Sequence, residues 1–313
     1  MTHGNVESAR LSRLAADALS LSRGWKSINP VEKVSNLMKM LATADEIRYP
    51  RMSTGELRAA FLITGLFRPG HIDLVYTDQD RAIVGSAVPL ETPLTLPTDD
   101  ALRAAYFTER RELGILNIGG AGSVEADGAT FDLGPLDALY LGRGTREIAF
   151  LSRDSQHPAE YYLLSYPAHG SWPAGLVRSS AIAPVELGSP AQANHRFITK
   201  LIYEAGVRSC QLVMGFTRLA PGSIWNTMPP HTHMRRSEIY MYFNVAADAR
   251  VMHFMGPPAE TRHIVMADKG IAISPGWSVH CGVGTRAYSF CWGMGGENQD
   301  YADMDPAPVD TLR

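Results

Sequence analysis

Three histidines and one glutamate with metal-ligand spacing stand in the last third of the chain. His231 and His233 are two residues apart, so on a strand both imidazoles point to the same face and can reach one ion. Glu238 can join them only if the chain turns between 234 and 237, because five residues of straight strand span about 16 Å. With that turn, and with the distant His280, three imidazoles and one carboxylate would surround a single site.

This donor set suits Zn²⁺, Fe²⁺, Mn²⁺ or Ni²⁺, and the ligand types alone do not choose among these ions. An isolated His-x-His pair is usually two polar loop residues. Here Pro221–Gly222 precedes the pair and Pro275–Gly276 precedes the last histidine, and this whole pattern is typical of cupin domains. His263 could also face the pocket. The remaining histidines lack such spacing and are expected to be structural or surface residues: His3, His71, His157, His169, His195 and His253.

The elements that would position these ligands are short strands. From about residue 56, short runs rich in β-branched and aromatic residues alternate with Gly, Pro and Asp, and the first of these runs is Glu56–Leu66. Such runs predict antiparallel sandwiches or barrels. The segment 171–195 is rich in Pro and Gly and is interpreted as a linker. We therefore predict an all-β protein with two domains, 41–170 and 196–313.

A weak internal repeat relates the two predicted domains. Residues 108–117 echo 233–244, and 137–147 echo 270–280, which is economically explained by duplication of one β unit. The matching region of the first copy has no histidine, and Glu147 stands where the second copy has His280. We therefore expect the N-terminal domain to be metal-free and the metal to lie only in the C-terminal one.

Residues 1–40 differ from the rest of the chain. Basic residues outnumber acidic ones there, whereas acidic residues outnumber basic ones elsewhere. An amphipathic helix is predicted between about 6 and 22, ended by Gly24. Arg13 and Asp17 interrupt the apolar residues, which disfavours a secretory signal, while the composition is compatible with a transit peptide. We predict a weakly ordered helical extension that is dispensable for assembly, metal content and activity.

The overall composition excludes several classes of protein. The 313 residues carry a formal net charge of −3, so no general basic field favours nucleic acid. No uninterrupted apolar run reaches the roughly 18 residues that a membrane-spanning helix needs, so no membrane partner is expected. Cys210, Cys281 and Cys291 form no CxxC motif, which favours a reducing compartment, and we expect a cytoplasmic protein.

Longer motifs resemble one family, the 5-keto-4-deoxyuronate isomerases, also called 4-deoxy-L-threo-5-hexosulose-uronate ketol-isomerases. The resemblance extends from about residue 41 to the C-terminus and rests on residues 109–114, 117–122, 219–222, 225–229, 231–233, 260–266, 292–294 and 296–299. It implies two tandem cupin domains, each a double-stranded β-helix or jelly roll. Two features depart from the pattern: Trp277 stands where a typical cupin has glycine, and the first forty residues have no counterpart.

The resemblance also implies a metal centre and an assembly. One zinc ion per subunit would be held by His231, His233, Glu238 and His280, and the subunits would form a homohexamer. The implied activity is an aldose–ketose isomerisation in the breakdown of pectin and related polyuronides. It converts 5-dehydro-4-deoxy-D-glucuronate into 3-deoxy-D-glycero-2,5-hexodiulosonate by moving the carbonyl from C1 to C2.

This chemistry needs a group that moves a proton between adjacent carbons, and the sequence does not identify it. The candidates are Glu238, Tyr240, His263 and Glu297. The substrate carboxylate needs a fixed cation, and we assign Arg262 to it, with the pair Arg235–Arg236 as the alternative. The sequence does not decide between proton transfer and hydride shift.

Three other functions remain open at this point. A cupin dioxygenase would use Fe²⁺ on the same four ligands, and metal content with oxygen consumption would separate it from an isomerase. A 5-deoxyglucuronate isomerase of inositol breakdown would be a related bicupin. A metal-free sugar-binding cupin is disfavoured because all four ligand positions are filled.

Overall fold

A computed structural model describes residues 38–297, 300 and 303–313. The predictions for residues 1–37, including the helix between 6 and 22, lie outside these residues. Strands dominate the described chain, and its one α-helix is α1 (Thr54–Phe61). No helix in these ranges is long and apolar enough to cross a membrane. Short 3-10 turns occur at Tyr49–Arg51, Gln79–Arg81, Asp100–Leu102, Ser179–Ala181, Pro190–Gln192 and Val309–Thr311.

The first half of the chain forms a sandwich of two β-sheets. A seven-stranded sheet has the order β1-β3-β4-β11-β6-β9-β12, and a four-stranded sheet has the order β5-β10-β7-β8. Apolar side chains of both sheets pack into one core. The first twelve strands are β1 (Met38–Leu41), β2 (Leu62–Ile63), β3 (Ile72–Thr77), β4 (Ile83–Ala87), β5 (Leu94–Thr95), β6 (Arg111–Asn117), β7 (Gly122–Ala126), β8 (Ala129–Leu133), β9 (Ala138–Leu141), β10 (Ile148–Ser152), β11 (Tyr161–Pro167) and β12 (Gly175–Val177).

The second half forms a second sandwich. Its seven-stranded sheet has the order β13-β14-β15-β23-β18-β21-β2, its four-stranded sheet the order β16-β22-β19-β20, and β17 pairs with β24. The remaining strands are β13 (Val185–Leu187), β14 (Arg196–Ile202), β15 (Val213–Leu219), β16 (Trp225–Asn226), β17 (His231–Thr232), β18 (Arg236–Phe243), β19 (Val251–Met255), β20 (Arg262–Met266), β21 (Ile271–Ser274), β22 (Cys281–Gly284), β23 (Ser289–Gly296) and β24 (Asp305–Pro306).

The matching strand orders of the two halves support the internal repeat. The corresponding strand pairs β6-β9 and β18-β21 have the same register: Leu113 lies opposite Leu141, and Glu238 lies opposite Ser274. Leu113 therefore occupies the position of Glu238. The first half has an apolar side chain where the second half has a carboxylate.

The predicted strand Glu56–Leu66 is wrong, because most of it is the helix α1. Ser53 begins this helix through a capping box, in which its hydroxyl accepts from the Glu56 backbone N–H while the Glu56 carboxylate accepts from the Ser53 N–H. Only Leu62–Ile63 is extended. The apolar residues of this segment fit a strand pattern, whereas the spacing of Ser53 and Glu56 indicates the start of a helix.

The boundary between the halves does not follow the sequence order. The strand β2 pairs with β21 of the second half, and Leu57 and Phe61 of α1 lie in the core of that half. The Tyr49 hydroxyl donates to the Met255 carbonyl at 2.7 Å. The segment 171–195, interpreted as a linker, contains β12 and β13, which each extend one of the large sheets.

The large sheets of the two halves pack face to face in a third apolar cluster. Gly293 lies so close to Leu164 that a Cβ at position 293 would be 2.1 Å from the Leu164 Cδ2 atom. A larger residue at 293 would require the Leu164 side chain to shift, because this distance is well inside van der Waals contact. Gly293 therefore allows the two large sheets to approach closely at this point.

Candidate metal centre

His231, His233, Glu238 and His280 converge at one end of the second sandwich. Their ligating atoms all lie within 4.8 Å of one another. The Nε2 atoms of His231 and His280 are 3.0 Å apart. The Glu238 Oε2 atom is 2.9 Å from the His233 Nε2 atom and 2.8 Å from the His280 Nε2 atom. Three imidazole nitrogens and one carboxylate oxygen thus face a common point.

A tight turn brings Glu238 back to the histidine pair. The chain turns at Met234 and Arg235, and the Arg236 N–H donates to the His233 carbonyl at 3.2 Å. The His233 Nδ1 atom in turn donates to the Arg236 carbonyl at 3.0 Å. This bond directs the His233 Nε2 atom toward the cluster, as the outer hydrogen bond of a metal-binding histidine does.

The turn before β22 positions His280. The Ser278 N–H donates to the Pro275 carbonyl at 2.9 Å, and the His233 N–H donates to the Gly276 carbonyl at 3.3 Å. The second bond ties this turn to the His-x-His segment. His280, which is 1% exposed, is therefore fixed beside ligands that lie almost fifty residues earlier.

Burial and mutual contacts set the charge of the cluster. Burial, reinforced by the nearby His280, lowers the pKa of His231 to about 3, so its imidazole is neutral, the form that binds a metal ion. Burial opposes the charge of Glu238, but His280 and His233 outweigh it and hold the pKa of that carboxyl well below its usual range. Burial also acts against a charge on His233, yet the hydrogen bond to Glu238 raises its pKa.

The donor set and its spacing fit a divalent metal ion. Neighbouring ligand atoms about 2.1 Å from one ion are about 3.0–3.4 Å apart, and the 2.8–3.0 Å separations found here lie at or just below that range. The residues present could therefore hold a metal ion with three nitrogen ligands and one oxygen ligand.

A cavity of about 390 Å³ opens beside the cluster. His231, Glu238 and Tyr240 line one part of its wall, and Thr227 lies next to Tyr240, with their hydroxyl oxygens 3.0 Å apart. The cavity is large enough for a small sugar-like ligand. The other lining residues are Val185, Leu187, Arg196, Ile198, Lys200, Thr217, Pro229, Pro230, Arg236, Phe290, Trp292, Met294, Met304 and Pro306.

Two of the four candidates for the proton-moving group line the cavity, and the other two lie elsewhere on the surface. Glu238 and Tyr240 line the cavity, and the Tyr240 ring centroid is 5.5 Å from that of His280. His263 instead lies exposed on β20, with its ring 6.2 Å from the Phe254 ring. Glu297 is exposed in a separate surface groove. The fold thus brings two of the four to the cluster.

The arginines predicted for the substrate carboxylate lie in three different places. Arg262 does not line the cavity, because its guanidinium donates to the carbonyls of Tyr49 and Met52 at 3.3 and 2.5 Å. Arg235 forms ion pairs with Asp303 and Asp305. Arg236 does line the cavity, and it donates to the carbonyls at 300 and 303.

Arg262→Ala is therefore expected to affect stability rather than catalysis. Losing the bonds to the Tyr49 and Met52 carbonyls should lower the free energy of unfolding by about 1–2 kcal/mol, because the segment before α1 loses its attachment. Denaturant unfolding checks this. Arg286→Ala, which removes only a surface ion pair with Asp248, is the control. A tenfold loss of kcat/KM at unchanged stability would contradict this and would show that Arg262 binds the substrate.

Two cavity cations, Arg196 and Lys200, are absent from the predicted site residues. Both residues lie on β14. They are four residues apart, and this spacing predicts that both side chains lie on one face of a strand. His253, predicted to be structural, is fully buried beneath the cluster, where its Nδ1 atom is 2.8 Å from the Tyr242 hydroxyl. Burial lowers the pKa of His253 to about 3.

Comparison with known proteins gives relatives over most of the chain. A sequence model of the KduI/IolB family matches residues 65–308. A 4-deoxy-L-threo-5-hexosulose-uronate ketol-isomerase of Lachnoclostridium phytofermentans is 49% identical over 276 residues, which are 88% of this chain and 100% of the relative. A protein of the same name from Formosa agariphila is 51% identical over 260 residues, covering 83% of this chain and 93% of the relative.

Solved structures share the fold at low sequence identity. An IolB-like protein from Salmonella typhimurium aligns with a TM-score of 0.62 at 15% identity, covering 77% of this chain and 94% of that one. Oxalate decarboxylase from Bacillus subtilis aligns with a TM-score of 0.52 at 12% identity, covering 72% of this chain and 71% of that one. The prediction of two tandem cupin domains is confirmed.

Proposed function

This chain belongs to the KduI/IolB family, and we propose from that membership and the geometry of its site that it is a ketol-isomerase. It converts 5-dehydro-4-deoxy-D-glucuronate, also called 4-deoxy-L-threo-5-hexosulose uronate, into 3-deoxy-D-glycero-2,5-hexodiulosonate. The names of relatives near 50% identity support this substrate. The observation that carries the proposal is the convergence of three histidines and a glutamate at the wall of a sugar-sized cavity.

The four ligands have a defined role in this reaction. A divalent ion held by His231, His233, Glu238 and His280 would stabilise the negative charge that develops on the carbonyl oxygen when the C2 proton leaves. The cavity beside these four side chains would give substrate oxygens access to the ion. Hydrogen bonds to backbone carbonyls orient the rings of His233 and His280 before substrate arrives.

The cavity wall supplies the groups that hold the substrate and move its proton. We propose that the proton travels between C2 and C1 through the Glu238 carboxylate or the Tyr240 hydroxyl, because both face the cavity. The Thr227 hydroxyl, 3.0 Å from that of Tyr240, orients the phenol. Buried aromatic residues of β23 keep water away from the reacting carbons.

We propose that the ion is Zn²⁺ and that each subunit holds one. Imidazole nitrogens and carboxylate oxygens are among the ligands that zinc takes in proteins. A single cluster of this kind occurs among the described residues, and in the first half Leu113 takes the place of Glu238. These observations support one ion per subunit, bound in the second half.

Two competing activities use similar sites. A cupin dioxygenase would consume oxygen, and a 5-deoxyglucuronate isomerase would act on a related sugar acid. The second alternative is supported by the fold shared with the IolB-like protein. Relatives near 50% identity over almost their whole length carry the ketol-isomerase name, which favours our main proposal.

The decisive assay compares substrates with the purified protein. We expect NMR to show the C1 aldehyde of 5-dehydro-4-deoxy-D-glucuronate replaced by a C2 ketone, with much slower turnover of 5-deoxyglucuronate. An oxygen electrode should record no uptake during turnover. Faster conversion of 5-deoxyglucuronate would favour the alternative isomerase, and stoichiometric oxygen uptake would establish a dioxygenase.

The setting of the enzyme completes the proposal. We propose a role in degrading pectin and related polyuronides, the source of such deoxy-keto acids. The cysteines Cys210, Cys281 and Cys291 are free thiols, which supports a reducing compartment, and we place the enzyme in the cytoplasm.

We also propose that the enzyme forms a homohexamer and has no nucleic-acid or membrane partners. Light scattering measures the mass of this assembly directly.

A further inference from the structure

We propose that Arg196 and Lys200 form the binding site for the C6 carboxylate of the substrate. This inference rests on the proposed function, since it requires a uronate as the ligand. It replaces the role predicted for Arg262, whose guanidinium is held by backbone carbonyls outside the cavity.

The two cations lie on the same face of one strand. Arg196 and Lys200 are the first and fifth residues of β14, with Ile198 between them, and all three line the cavity. Residues two and four apart on a strand share a face, so the cavity side of this strand carries two positive charges. The intervening Thr199 points away and is buried.

The charges of the cavity favour an anion at this wall. Arg196, Lys200 and Arg236 are its cationic lining residues, whereas Glu238 is the one lining carboxylate among the residues that the structure describes. Glu238 contacts His233 and His280, so its charge is directed toward the ligand cluster. Among the described lining residues, positive charges outnumber negative ones, which favours a negative group at this wall.

Geometry makes Arg196 suitable for a carboxylate. Its Nη1 atom donates to the Asn194 carbonyl at 2.9 Å, and this bond fixes the plane of the guanidinium. A planar guanidinium matches the two oxygens of a carboxylate, while the Lys200 ammonium adds a point charge. Both side chains are half-buried, which strengthens their attraction for an anion relative to bulk water.

The apolar wall of the cavity matches the middle of the substrate. Phe290, Trp292 and Met294 alternate along β23 and face the cavity. A 4-deoxy sugar acid has a methylene at C4, which needs no hydrogen-bond partner there. With C1 and C2 at the His/Glu cluster, the apolar residues cover C4 and the two cations receive C6. This order along the wall distinguishes the two ends of the substrate.

The test compares single variants on a charged and a neutral ligand. Arg196→Gln and Lys200→Met should each lower kcat/KM for 5-dehydro-4-deoxy-D-glucuronate by about 10- to 100-fold, mainly through KM. Both should convert its neutral methyl ester as fast as the wild type does. Arg218→Gln, on the neighbouring strand β15 and exposed outside the cavity, is the matched control. Metal content and thermal unfolding are measured for every variant.

The outcomes separate this inference from the proposed function. Selective loss on the acid, with the ester and the Arg218 control unchanged, supports the carboxylate site. Wild-type turnover that persists in both cavity variants overturns the carboxylate site and leaves the isomerase standing. Equal losses on acid and ester also overturn it, because the side chains would then act on structure. A wild-type protein inactive on the acid overturns the proposed function and this inference with it.

Discussion

Replacing both His231 and His233 by alanine is expected to remove the bound metal and to reduce isomerase activity to about 1% of wild type or less. The double variant retains only the Glu238 and His280 ligands, and two side chains do not hold a catalytic zinc ion. The fold should persist, since neither histidine belongs to the apolar clusters of the second half. Elemental analysis, the NMR assay and circular dichroism measure the three effects.

The control for this prediction is His263→Ala. His263 lies in the same half of the chain but is exposed on β20, outside the cluster. This variant should keep its metal and its activity. One equivalent of metal persisting in the double variant would show that the ion binds elsewhere.

Glu112→Ala should lower the free energy of unfolding by about 3–5 kcal/mol. Glu112 is fully buried where the two halves meet. Its carboxylate accepts from the backbone N–H groups of Cys210, Gln211 and Leu212 at 2.6, 2.8 and 2.8 Å, and from the Tyr140 hydroxyl at 2.8 Å. Alanine would leave all four donors without this acceptor, two of them buried and two half-buried. Urea unfolding measures the loss.

Two further variants make the Glu112 prediction specific. Glu125→Ala changes an exposed glutamate on β7 and should alter stability by less than about 0.5 kcal/mol. Glu112→Gln should lower the free energy of unfolding by an intermediate amount. Its side-chain oxygen still accepts hydrogen bonds, but its amide N–H groups face other donors. A loss below 1 kcal/mol for Glu112→Ala would mean that water or another group satisfies the 210–212 backbone.

The metal ligands could be predicted from the sequence because their signal is local. His231, His233 and Glu238 lie within eight residues, and the required turn follows from the length of a strand. The turn residues Pro275 and Gly276 precede His280 and allow it to be predicted as the fourth ligand. Whether these four ligands hold zinc in the protein remains a prediction for elemental analysis.

The cations at the cavity could not be predicted in the same way. Arg262 lies in a motif shared with the resembled family, but its neighbours in space are the carbonyls of Tyr49 and Met52, more than two hundred residues away. Arg196 and Lys200 lie in an ordinary strand pattern. Their position in the cavity follows from the pairing of β14 with β13 and β15, which no local signal specifies.

The domain boundaries also depend on long-range contacts that no local sequence signal specifies. Strand β2 completes a sheet built from residues beyond 185, and α1 packs into that half. Long-range pairing overrides sequence order here, because β2 pairs with β21 and α1 buries its apolar face in the core of the second half. The capping box at Ser53 and Glu56, by contrast, is a local signal from which the start of the helix can be predicted.

Removal and return of the metal tests the central claim most directly. The protein as purified should contain one equivalent of a divalent metal and should convert the C1 aldehyde of 5-dehydro-4-deoxy-D-glucuronate to the C2 ketone, followed by NMR. A chelator should abolish this conversion, and one equivalent of Zn²⁺ should restore it in the wild type but not in the variant lacking His231 and His233. Full conversion by demonstrably metal-free protein would contradict the account.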